Sequence, residues 1–180
     1  EEEMARISHF PTPASALAVG RLERAQLRPD ELSTGRTLAL DSVQDAGNVG
    51  SVLRSAAAFG FRQVLALKGS AALWSPKVLR AGMGAHFALR LVEGIESDAL
   101  AALQVPMLAT SSHAAKALHE VRLPWPCAWV LGHEGRGVST ALTSCCAQSL
   151  RIPQPGGEES LNVAAAAAVC LYESARQRLP

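Results

Sequence analysis

At 180 residues, 48% hydrophobic and 18% charged, the sequence has the make-up of one globular domain with a real core, which excludes disordered and fibrous chains. A net charge of +1 and a pI of about 8.0 give no dense basic field that would announce nucleic acid by itself. Cys127, Cys145, Cys146 and Cys170 form no C-x-x-C pair and no zinc spacing with histidine, so no metal is expected and they read as buried, reduced thiols of a cytoplasmic protein.

Residues 1–36 carry Pro11, Pro13 and Pro29 and a charged turn at Asp30–Glu31, and read as a linker with one short strand, SALAVG. The chain begins at Glu1 rather than methionine, which raises the expectation of residues upstream. From there β-like and helical runs alternate. TLALD (Thr37–Asp41) predicts a strand, Val49 to Phe59 a helix, and QVLALK (Gln63–Lys68) a second strand. A helix is expected around Pro76–Ala81, a strand over HFALRLV (His86–Val92), a helix from about Asp98 to Leu103 and a strand over PMLAT (Pro106–Thr110). CAWVLG (Cys127–Gly132) reads as a buried strand, TALTSCC as a helix, SLRIP (Ser149–Pro153) as a strand, and Leu161–Arg178 as a long closing helix. This is the grammar of an α/β fold with a mainly parallel sheet flanked by helices. The longest apolar run, Val163–Leu171, is too short to span a bilayer, and no membrane partner is expected.

In open α/β sheets ligands bind beyond the carboxyl ends of the strands, which points to the loops near Asp41, Thr110, Gly132 and Pro153. The loop LGHEGRGVS (Leu131–Ser139) nearly spells a phosphate-binding P-loop, but Val138 stands where its lysine belongs, and Glu134 would set a carboxylate against an anion nest. Gly132, Gly135 and Gly137 demand close backbone approach or positive φ; a turn that holds no ligand satisfies that equally. In DSVQDAGNVGSVLRSAAAFGF (Asp41–Phe61) the residues Val49, Val52, Leu53, Ala56 and Phe59 share one helical face while Ser51, Arg54 and Ser55 take the other. Asn48 is placed as the helix N-cap, and Gly47 with Gly50 falls short of the dinucleotide fingerprint. In RIPQPGGEESLNVAAAAAVCLYE (Arg151–Glu173), prolines and glycines forbid regular structure until Ser160, which can cap a helix whose alanines permit close packing against a sheet or a symmetry mate.

Taken in order, these three loops resemble the three motifs of the SpoU/TrmH family of RNA ribose methyltransferases, within the SPOUT superfamily, over roughly residues 37–175. DSVQDAGNVGSVLRSA is similar to D-x-x-x-D-P-x-N-x-G followed by an arginine-bearing helix, with Ala46 where proline is common. LGHEGRGVS is similar to L-G-x-E-G-x-G. IPQPGGEESLNV is similar to I-P-M followed by S-L-N, with Gln154 in the methionine position. The resemblance implies an α/β catalytic domain over 37–180 with a C-terminal trefoil knot, S-adenosylmethionine as cofactor, and a homodimer. It implies an RNA substrate, ribosomal favoured over transfer RNA, and an RNA-binding domain upstream, of which HFPTPASALAVGRL looks like the last strand and exit linker.

The implied reaction is attack of a ribose 2′-hydroxyl on a sulfonium methyl. Arg54 matches the family's motif-one arginine; because guanidinium stays charged, gripping an RNA phosphate and stabilising developing alkoxide suits it better than acting as base. Glu134 matches the motif-two glutamate, favourable beside a sulfonium and an arginine. Asn48, Ser160 and Asn162 match the remaining polar positions and are expected to orient the ribose and hold the loops. Gly132, Ile152 and Leu161 match the family's cofactor contacts, and Thr110, which ends another strand at the same sheet edge, is added to them; conservative replacement of any one is expected to matter little. His113, His119 and His133 read as exposed loop residues, and His86 suggests no role. Two other readings remain: a non-catalytic RNA-binding module on the same fold, and a P-loop-like nucleotide-binding protein.

Overall fold

The computed structural model describes residues 35–157 and 160–179, so the strand expected in SALAVG lies outside the described residues. Seven strands form one sheet among them: β1 (Thr37–Leu40), β2 (Gln63–Leu67), β3 (Arg90–Ile95), β4 (Met107–Thr110), β5 (Lys116–Ala117), β6 (Ala128–Leu131) and β7 (Gln148–Arg151). Their spatial order is β3-β2-β1-β6-β4-β7-β5, and every ladder is parallel. The helices are α1 (Ala46–Ala58), α2 (Pro76–Gly82), α3 (Thr140–Cys145) and α4 (Val163–Arg176). This is the α/β architecture that the alternation of runs predicts.

Strand residues alternate between the two faces, and both faces are covered. Leu38 and Leu40 of β1 and Trp129 and Leu131 of β6 join the layer packed with α1 and α4, while Ala39, Ala128 and Val130 join the opposite layer with Leu100 and Leu142. Burial on both sides is why these strands read as unbroken apolar runs. Val49, Val52, Leu53 and Ala56 form the buried stripe of α1. Ala167, Cys170, Leu171 and Ser174 do the same for α4 at helical spacing. The Trp129 indole N–H donates to Ser174 Oγ at 2.9 Å, which donates to the Cys170 carbonyl at 2.9 Å, so the indole and this hydroxyl are satisfied inside the layer. Burial pushes the Cys127 thiol up to about 11 and Cys170 higher still, which leaves both protonated and unreactive. Cys145 is exposed and Cys146 half-buried, so the expectation of buried thiols holds fully only for Cys127 and Cys170.

Two expected elements are corrected and one strand was not foreseen. The strand predicted from His86 starts only at Arg90, because Ala85–Ala88 is a 3₁₀ turn. His86 is its anchor: the ring is 2% exposed, its Nε2 lies 2.8 Å from the Leu73 carbonyl and Trp74 packs beside it, centroids 5.2 Å apart. The helix expected near Asp98 is a 3₁₀ segment, Ser97–Ala102. β5 has two residues, too few to leave a period in the sequence.

The order of the strands positions the site. β6 enters between β1 and β4, and β7 between β4 and β5. The loops that follow β1, β6, β4 and β7 therefore leave the same sheet edge side by side.

Candidate active site

Two carboxylates stitch the β1 loop to the β6 loop in opposite senses. Asp41, just past β1, accepts through Oδ2 from the Ser139 N–H at 2.8 Å. Glu134, in the β6 loop, accepts from the N–H groups of Asp45 at 3.2 Å and Gln44 at 3.4 Å, and from Asn48 Nδ2 at 3.2 Å. The other end of the Asn48 amide, Oδ1, accepts from Asn162 Nδ2 at 2.9 Å. Asn162 Oδ1 in turn accepts from the N–H groups of Ala164 at 2.9 Å and Ala165 at 3.2 Å, closing the N-terminus of α4. One unbroken relay, Glu134–Asn48–Asn162, thus ties together the three motif loops.

This geometry reassigns two caps. The N-cap of α1 is Asp45, whose Oδ1 accepts from the Asn48 N–H at 2.7 Å, and the N-cap of α4 is Asn162 rather than Ser160. The two cases differ: the Asn48 side chain lies past the cap position and goes to the neighbouring loops, whereas Asn162 caps its own helix through Oδ1 and reaches Asn48 through Nδ2. Ser160 is exposed and lies in the wall of the adjoining cavity.

Burial pushes the Glu134 pKa up, but hydrogen bonds from its own N–H, from Asp45, from the Asn48 amide and from Gln44 outweigh it and hold the carboxyl below the ordinary range. Glu134 is therefore a fixed anion at neutral pH. Arg54 stands apart: it is exposed on α1 and outside the cavity wall.

The cavity, of about 1000 Å³, opens between the loops after β4, β6 and β7. Thr110, Gly132, Ile152 and Leu161 all line it, as do Glu134 and Ser160, together with His113, His133, Arg136, Arg151 and Gln154. The residues read separately for cofactor and for chemistry thus meet at Glu134. Gln154 Oε1 is buried without a hydrogen-bond partner, an acceptor placed in the wall with no protein donor to meet it.

The glycines of the β6 loop serve the loop itself. A Cβ on Gly132 would lie 2.0 Å from the Gly137 carbonyl carbon and 2.1 Å from the Val138 nitrogen. The loop folds back there through an antiparallel bridge between His133 and Gly137, and Gly137 has φ +69°. Conservative replacement is thus not harmless at Gly132. Asp41 and Asp45 hold the loops of the site and are missing from the site residues named from the sequence. An acidic residue just before Ala46 was the available signal for the cap.

No group of three or more His, Cys, Asp or Glu residues among the described residues could hold a metal ion. No helix among them is long and apolar enough to cross a membrane.

Fold and site define a class: an open parallel α/β sheet whose ligand cavity is built from adjacent loops at its carboxyl edge, with an acid–amide relay across three of them. The model of the SpoU rRNA Methylase family matches residues 35–172; the chain belongs to that family. A 23S rRNA (guanosine-2'-O-)-methyltransferase RlmB of Bordetella pertussis is 38% identical over 151 residues, covering 78% of this chain and 59% of its own length. The 23S rRNA (guanosine(2553)-2'-O)-methyltransferase RlmP of Bacillus subtilis is 33% identical, covering 96% of this chain and 69% of its own. The crystal structure of the SpoU methyltransferase AviRb from Streptomyces viridochromogenes in complex with AdoMet matches with a TM-score of 0.74 at 28% identity, over 79% of this chain and 60% of that one. The chain thus spans about three fifths of the length of the first of these relatives.

Proposed function

We propose that this chain carries the catalytic domain of an S-adenosylmethionine-dependent RNA methyltransferase that modifies a ribose 2′-hydroxyl, with ribosomal RNA as the favoured substrate. The observation that carries this reading is the meeting at Glu134 of the motif relay and the cavity. Membership of the family and the named activities of its relatives support it.

The cavity fits the cofactor. Its volume suits a nucleoside-sized ligand, its wall mixes apolar Ile152 and Leu161 with polar Thr110, and the buried Gln154 oxygen offers an acceptor to the amino or hydroxyl groups such a ligand carries. Thr110, Gly132, Ile152 and Leu161 would hold it. When bound, S-adenosylmethionine supplies a methyl group on a positively charged sulfur.

The chain's own residues do the rest. Glu134, anionic at neutral pH, favours a cation in the cavity and fixes the Asn48 amide. Asn48 and Asn162 hold the three loops in one register and, with Ser160, orient the ribose. Arg54 grips an RNA phosphate and stabilises charge developing on the attacking oxygen. A P-loop reading is opposed by Glu134 and Val138, and a non-catalytic module by the intact relay.

Three further parts belong to the proposal. Residues 1–36 serve as the tail and linker of an upstream RNA-binding domain, a reading supported by the greater length of the relatives. The chain carries a trefoil knot, for which the late entry of β6 and β7 between earlier strands speaks. It acts as a cytoplasmic homodimer, for which exposed Leu161, Val169 and Tyr172 on and beside α4 offer an apolar face. The test is methyl transfer from labelled S-adenosylmethionine to ribosomal and transfer RNA, with Arg54→Ala as control. Labelled ribose from the wild type and near loss in the variant are expected; label on a base, or none, defeats the reading.

A further inference from the structure

The pattern L-G-x-E-G-x-G leaves the position of His133 open, so the resemblance gives this residue no role. The sequence suggests an exposed loop histidine; His133 is instead half-buried, and the β6 turn closes on it. Its Nδ1 accepts from the Gly135 N–H at 2.9 Å. Its carbonyl accepts from the N–H groups of Gly137 at 2.8 Å and Arg136 at 3.2 Å. The side-chain bond reaches two residues on, the span of an Asx turn, in which an Asn or Asp oxygen meets that N–H. An imidazole nitrogen does the work of that oxygen here.

The turn carries the site. Residues 132–138 all line the cavity, and Glu134, held between His133 and Gly135, is aimed from the turn at Gln44, Asp45 and Asn48. An imidazole nitrogen accepts only while it carries no proton. In the neutral ring Nδ1 accepts and the proton sits on Nε2; in the cation both nitrogens are donors, and Nδ1 would meet the Gly135 N–H donor to donor. Among the described residues, the charged and titratable groups around His133 are Glu134 and Arg136 in its own loop, with His113 after β4 and Arg151 ending β7 in the same cavity wall. Asp41 and Asp45 of the β1 loop are bonded to the β6 loop. These groups set how readily the ring takes up a proton, and the acceptor role sets what that proton does to the turn.

We infer that His133 is a positioning residue for methyl transfer: its neutral imidazole closes the β6 turn, and the cavity binds its cofactor more tightly in that protonation state. The inference rests on the S-adenosylmethionine reading of the cavity. Above the range in which imidazoles titrate, the turn is closed and affinity is full. As pH falls through that range, the proton competes with the Gly135 N–H and affinity is lost, so binding at the lower pH releases a proton. This loss comes at a higher pH than protonation of Glu134, whose carboxyl lies below its ordinary range.

The experiment measures S-adenosylmethionine binding by calorimetry to wild type, His133→Asn and His133→Ala at about pH 8 and about pH 5.5, on either side of the imidazole range. Wild type should lose affinity about 2- to 10-fold between the two, the worth of one hydrogen bond, and its heat at the lower pH should depend on the buffer that takes up the released proton. His133→Asn keeps an acceptor for the Gly135 N–H and cannot titrate, so it should hold its affinity at both and lose the proton release. His133→Ala should bind weakly at both. A His133→Asn profile that follows the wild type overturns the inference, as does His133→Ala equal to wild type at the higher pH. Nitrogen NMR of the wild type needs no variant: the neutral ring should carry its proton on Nε2, and the Gly135 amide should lose protection from exchange as the ring titrates. A proton on Nδ1 of the neutral ring, or a Gly135 amide indifferent to the titration, overturns the inference as well. Wild type that binds no S-adenosylmethionine at either pH defeats the cofactor reading alone, because the NMR titration still judges the turn.

Discussion

Replacing Glu134 with glutamine keeps its size and removes its charge, and the outcome follows from the donors around it. The carboxylate faces three: Asp45 N–H and Asn48 Nδ2 both meet Oε1, and Gln44 N–H meets Oε2. An amide has one oxygen, so it can keep the first two but turns its own NH₂ against the Gln44 N–H. Hydrogen bonds to a charged group contribute about 1.5–3 kcal/mol each; Glu134 is exposed, so solvent screening lowers this, and about 1–2 kcal/mol is expected for the whole change. If the loops must be in register for transfer, the rate falls about 5- to 30-fold at equal loading of cofactor. The pH dependence has a definite sign. The folded carboxyl lies below its ordinary value, so its stabilisation is complete above about pH 4.3 and is lost as pH falls through the lowered value. Glu173, held low first by its hydrogen bonds from Arg176, contributes to the same acid limb, so Glu134→Gln should shrink that limb without abolishing it. Thermal unfolding across pH and single-turnover methyl transfer measure both effects. A variant as stable and active as wild type, with an unchanged acid limb, would refute the relay.

Asn162→Ala removes a cap and a relay member and should cost about 1 kcal/mol or more in thermal stability. Asn162→Asp should restore the stability, since a carboxylate suits a helix N-terminus, but not the activity, because it sets acceptor against the Asn48 oxygen. Gly132→Ala places a Cβ within 2.0–2.2 Å of the returning backbone and should lower cofactor affinity more than tenfold by calorimetry. Gly135→Ala, whose Cβ comes no nearer than 3.8 Å to the His133 ring, should be tolerated. Arg54→Ala should abolish transfer while cofactor affinity, read in the same titration, stays at the wild-type value.

The sheet and its helices were legible because burial on both faces writes continuous apolar runs such as TLAL and CAWVL, and amphipathic burial writes the stripe of α1. What escaped was local and non-periodic. His86 looked like an isolated polar residue, yet its ring fills the core and bends the chain into a turn. Gly132, Ile152 and Leu161 were named from the family resemblance and Thr110 from its place at the same sheet edge; that all four line one cavity follows from strand order, which no local pattern encodes. Asn48 was read as a cap and bridges loops, and the cap read at Ser160 belongs to Asn162, since capping and loop bridging ask for the same residue types. The glycines were read as approaching a ligand, and at Gly132 the thing approached is the loop's own backbone.

The insertion of β6 and β7 between strands made earlier has a consequence for synthesis. A chain leaving the ribosome from its N-terminus has β1 and β4 complete before β6 exists to join them, so both edges stand open meanwhile. The last member of the relay, Asn162, comes after every strand of the sheet. A copy whose translation stops short can therefore display Arg54 yet lack the Glu134–Asn48–Asn162 relay. The relay across the three loops is thus completed in one late step.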